Sequence, residues 1–109
     1  MIEQTLQRIQ KQIEAAAIPS DKKGELAALL GELQTEVEEL ARTDRAHAES
    51  IAQFAGLSAH EAMRDSSRAE LRRLSLEGLA ATVDGFEATH PRLASIVNSF
   101  CVTLSNLGI

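Results

Sequence analysis

The sequence predicts an all-α fold: a helical bundle built on a long antiparallel helical hairpin, with four main helices. Three observations predict it. The composition favours Ala, Leu, Glu, Gln and Arg, the strong helix formers. Aromatic residues are three Phe, with no Tyr and no Trp, whereas a β-sandwich or barrel would show β-branched and aromatic runs. Apolar residues also recur at spacings of three and four along most of the chain. At 109 residues this is one domain's worth, so residues 1–109 are read as a single helical domain.

The first stripe is Ile2, Leu6, Ile9, Ile13 and Ala16, one face of a helix. Pro19 disfavours helical backbone at Ile18 and ends it. Ser20 or Asp21 can cap the helix that follows. That second pattern is long: Leu26, Leu30, Leu33, Val37, Leu40, Asp44, His47, Ile51 and Phe54 form a heptad seam. Asp44 and His47 are polar within the seam, and Thr43 is placed to cap a new start, so a break near 43 is one reading. Gly56 reads as a helix C-cap.

Ser58-Ala59-His60-Glu61 and Ser67-Arg68-Ala69-Glu70 both have capping-box spacing, so the third helix starts at 58 or restarts at 67. Its apolar residues are Leu71, Leu76, Leu79, Val83 and Phe86. Pro91 suits the first position of the last helix, whose stripe is Leu93, Ile96, Val97, Phe100, Leu104 and Leu107. Gly108 then fits a left-handed C′ position, with Ile109 packing back on Leu104.

With Gly56 as a hairpin turn, 21–55 and 58–89 are two helical legs of about 50 Å each. The shorter first and last helices fold back along the open end. This leaves a four-helix base and a protruding two-helix arm over 42–72. The arm carries Ile51, Phe54, Leu57, Met63 and many Ala, and two helices alone bury little. A second copy is the simplest cover, so a homodimer formed through the arm, or through a long face of the bundle, is the expectation, with an unidentified protein as the other class of partner.

The string F-E-x-x-H-P-R-L over 86–93, followed by a helix ending L-S-N-L-G-I at Ile109, resembles a family of short bacterial helical proteins of unknown function. The opening helix and the stretch from Leu26 to Leu40 resemble that family's first half. Residues 41 to 75 look longer than its usual connection. The resemblance implies a bacterial, cytoplasmic helical protein and brings no activity with it.

Chemistry candidates are few. Asp44-x-x-His47 and Glu87-x-x-His90 have the i, i+3 spacing of carboxylate-bridged metal bundles. No further carboxylate sits on a core stripe, so no metal or other cofactor is expected. His47 reads as a polar seam residue that fixes register or pairs with Asp44, and His90 as a helix-cap or packing residue before Pro91. Arg64, Arg68 and Arg72 recur every four residues, beside Arg73, and such a stripe can grip phosphates. Glu61, Asp65 and Glu70 interleave it, and no aromatic offers base stacking, which favours a salt-bridged solvated face. Cys101 beside Phe100 reads as a buried structural thiol, and a single cysteine allows no internal disulfide. Glu36, Glu38 and Glu39 read as solvated surface.

Net charge of −5 argues against non-specific binding to nucleic acid or anionic membranes. No apolar run approaches a membrane span, and the N-terminus lacks a signal peptide's pattern, so the cytoplasm is the expected compartment. The expected function is that of a non-enzymatic helical interaction module that self-associates. Its interaction candidates are Asp44, His47, Ile51, Phe54, Met63, Arg64, Arg68 and Arg72. The alternatives are a nucleic-acid-associated regulator using the arginine stripe, and a bundle that binds a small ligand.

Overall fold

The computed structural model describes residues 2–64 and 68–107 of the chain. The described residues form five helices and no strand: α1 (Ile2–Ala15), α2 (Ser20–Ala41), α3 (Arg45–Met63), α4 (Ala69–Ala81) and α5 (Pro91–Leu107). The expected helical class holds, but the helix count and the long hairpin do not.

Three differences explain the change. The long second pattern breaks where Asp44 caps α3, its carboxylate accepting a hydrogen bond from His47 N at 3.1 Å. Arg42, Thr43 and Asp44 amides bond back to Glu39 and Leu40 carbonyls, which closes α2 tightly. Gly56 is not a turn. It lies within α3 on the side that faces α1: a Cβ there would stand 3.4 Å from Thr5 Cγ2, an ordinary contact. The fourth helix ends at Ala81 rather than near 89. A turn over 82–85 follows, and Gly85 takes φ +86°, the left-handed region that favours glycine.

Two of the apparent capping signals also resolve differently. Ser58 does not start a helix. It is buried in mid-α3, and its hydroxyl donates to the Ser75 carbonyl of α4 at 2.9 Å. Pro19 occupies the position before α2, with Ser20 as the first helical residue. Pro91 does open α5 as expected. The expected cap at Ser67 and the C-terminal Gly108–Ile109 lock lie outside the described residues.

The arm over 42–72 is replaced by a central helix. The longest dimension of the molecule is 37 Å, too short for two legs of about 50 Å. Helix α3 packs against all four other helices. Small residues on it make this possible: Ala48, Ala52, Ala55, Ala59 and Ala62 are all buried. Around α3 the neighbours run α1, α2, α5, α4, each touching the next. The ring does not close, because α1 and α4 make no contact among the described residues.

The expected stripes of α1, α2 and α5 all face the core. Ile2, Leu6, Ile9 and Ile13 are buried, as are Leu26, Leu30, Leu33, Val37 and Leu40. So are Leu93, Ile96, Val97, Phe100 and Leu104. Helix α4 departs from its expected stripe: Leu79 is buried, but Leu71 is 42% exposed.

Candidate interaction face

The open sector between α1 and α4 leaves one flank of α3 uncovered. Phe54 and Leu57 sit there, 38% and 47% exposed. Leu71 and Leu74 of α4 border the same sector, and Leu74 is 49% exposed. Four large apolar side chains thus share one face of two neighbouring helices, a grouping that marks contact sites when it is continuous.

The register between the two helices is held by directional contacts. Ser58 Oγ bonds Ser75 O, and His47 Nε2 lies 2.5 Å from Thr82 O. A carbonyl has no proton to give, so His47 carries its proton on Nε2 here. Phe54 fills the space above Gly78, where a Cβ would stand 2.5 Å from the ring. These pairings run antiparallel and bring Leu57 level with the Leu74–Ser75 turn.

Helix α4 therefore has two faces. The inner one holds Ser75 and Leu79 and continues to the C-cap Thr82, all buried. The outer one is Leu71, Leu74, Gly78 and Ala81, spaced 3, 4 and 3, which keeps all four on one side of a helix. The outer stripe is legible in the sequence as a second 3–4 pattern that shares Leu71 with the expected one.

The interaction candidates scatter when placed in space. Ile51 is fully buried in the core and Met63 packs against it half-buried. Asp44 is the α3 cap. His47 is half-buried, stacked on Phe86 at 4.7 Å, and Phe86 in turn meets His90 at 5.3 Å. Of the eight, Phe54 alone presents a large apolar surface.

The arginines do not form one helical stripe. Arg64 follows α3 with extended backbone, and Arg68 precedes α4 with extended backbone. Arg64 pairs with Glu61 at 3.0 Å, and Arg72 lies partly buried in α4. Arg73 is held between Glu70 and Glu77, the latter at 2.7 Å, and these carboxylates raise its pKa.

The histidines of the two Asp/Glu-x-x-His pairs flank Phe86, but the carboxylates are engaged elsewhere. Glu87 accepts from Gly85 N at 3.0 Å, while Asp44 is committed to its cap. Among the described residues no three His, Cys, Asp or Glu side chains are placed to hold a metal ion. Cys101 is half-buried between α4 and α5, and burial pushes its thiol up to about 11. It borders an open cleft of about 590 Å³ with Arg72, Leu76 and Val102. Among the described residues no helix is long and apolar enough to cross a membrane.

No curated protein and no solved structure matches the chain. Residues 26–109 do match a protein family described as a domain of unknown function (DUF4404). The match starts within α2, so α1, which packs on α2 and α3, lies ahead of it. Covering most of the sequence, the match places this chain in the DUF4404 family of unknown function.

Proposed function

We propose that this chain acts by binding rather than by catalysis, as a self-associating helical interaction module in the cytoplasm, and that its contact face is the outer side of α3 and α4. The observation that carries the reading is the open sector: the ring of helices around α3 fails to close between α1 and α4, and Phe54, Leu57, Leu71 and Leu74 of α3 and α4 are exposed. Apolar side chains grouped in this way gain by being covered, at roughly 25 cal/mol per Å² removed from water. A helix laid in the sector would complete the ring.

The nucleic-acid reading has less support. Arg64 and Arg73 already pair with carboxylates, and the chain's net charge of −5 opposes a phosphate backbone.

Site-directed photo-crosslinking in living cells tests the face. A photoreactive residue at Leu57 or Leu71 is expected to give discrete crosslinked species, of this chain with itself or with another protein. The same probe at Glu32, on the exposed side of α2, serves as the control. Equal, diffuse labelling from all three positions would overturn the interaction reading.

A further inference from the structure

We infer that the occupant of this face is a second copy of the chain, seated by a two-fold axis that passes α4 at the level of Leu76. The inference rests on the interaction reading above and fixes its partner and register.

The outer stripe of α4 is symmetric about that level. Leu71 and Ala81 lie five residues to either side, and Leu74 and Gly78 lie two. The large side chains are all at the start of the helix and the small ones all at its end. An antiparallel copy therefore sets Leu71 against Ala81 and Leu74 against Gly78, in both directions at once. Leu71 thus meets the small Ala81, and Leu74 meets the Phe54 ring that covers Gly78, the same pair of contacts on both sides of the axis, which is what an isologous contact requires. A parallel copy would set leucine against leucine and alanine against alanine.

Charge follows the same axis. Arg68 precedes α4 and Asp84 follows it, eight residues to either side of Leu76, and both are exposed. The two-fold brings Arg68 of each copy to the level of Asp84 of the other. Such rim pairs add little affinity but penalise the parallel alternative, which would bring like charges together.

Size brings α3 into the contact. Helix α4 has 13 residues and is about 20 Å long. Alone it offers far less than the ~800 Å² per partner of a standard interface. Phe54 and Leu57 widen the face, and the Phe54 ring lies over Gly78, where Leu74 of the second copy arrives. Each copy thus places its α4 in the open sector of the other.

The test is made on the full chain with Cys101→Ser as background. Light scattering across a concentration series is expected to show the mass doubling. Leu71→Asp with Leu74→Asp should return it to monomer with unchanged helical circular dichroism, since both side chains are exposed. Leu71→Cys and Ala81→Cys chains are then mixed and oxidised. Mixed 71–81 disulfides are expected to exceed 71–71 and 81–81 products by at least tenfold. Predominant 71–71 linkage would overturn the register. A monomer at every concentration would overturn the second copy, while discrete crosslinks to a different protein from Leu57 or Leu71 would still uphold the interaction reading.

Discussion

Helix α3 meets α1 on one flank and α4 on the other, and the two contacts are built in different ways. Against α1 the contact is apolar and closed. Ile9 is 1% exposed, and Thr5 Cγ2 and Ile9 Cδ1 lie within 4.0 Å of where a Gly56 Cβ would stand. Against α4 the contact is directional. A serine hydroxyl and a histidine ring each bond a carbonyl of α4 or its C-cap, and a phenyl ring sits over a glycine. A contact sealed by methyl groups needs every apolar side chain in its vicinity. A contact registered by hydrogen bonds does not, and this leaves α4's leucines free to face outward.

That contrast can be broken or sharpened by substitution. Ile9→Ala should have the largest effect, a loss of about 2–5 kcal/mol, because it opens a cavity at the centre of the closed contact. Urea denaturation would read it directly. A loss below about 1 kcal/mol would mean that α1 is not sealed onto α3.

Gly78→Ala comes next. The added methyl meets the Phe54 ring at 2.5 Å, and overpacking costs about 1–3 kcal/mol, against about 1 kcal/mol gained from helix propensity. A net loss near 1 kcal/mol is expected. In a Phe54→Ala background the same change should become stabilising, since the obstructing ring is gone.

Gly56→Ala should have the smallest effect and the opposite sign. Its methyl would reach Thr5 Cγ2 at 3.4 Å, an ordinary contact, so helix propensity governs and stability should rise by up to about 1 kcal/mol. Two glycines in adjacent helices would then respond in opposite directions, a result that thermal and urea midpoints can both check.

The sequence reading succeeded where periodicity and capping agreed. The stripes of α1 and α5 and the first part of the long second pattern, up to Leu40, are continuous and set off by Pro19 and Pro91, and their apolar residues face the core. It failed where one residue type carries more than one physical meaning. Glycine marks a helix end, a close approach or an ordinary mid-helix position; Gly78 is the second and Gly56 the third. A serine followed three residues later by glutamate marks a cap, but Ser58 instead spans two helices with a buried hydrogen bond. Asp44 shows the reverse: a polar residue on a seam was a cap. Gly56, Ser58 and Asp44 separate an extended hairpin from the observed open ring of four helices around α3.

The candidate face was partly legible. Phe54 and Leu57 were recognised as apolar residues in need of cover. Leu71 was given to the core because a 13-residue helix with two such faces offers no periodicity signal to rank them. Burial ranks them, and burial depends on which neighbour α4 lacks.

The central position of α3 has a further consequence for how the molecule comes apart. Each of the other helices covers a different side of it, and its buried alanines supply little stability by themselves. No pair of helices can detach and leave a self-sufficient remainder. Local opening is therefore confined to helix ends, and the innermost amides of α3 exchange with solvent only when the whole chain unfolds. Hydrogen exchange would report one cooperative unit whose slowest protons lie around Ile51 and Ala55, and truncation from either terminus would melt the molecule rather than trim it.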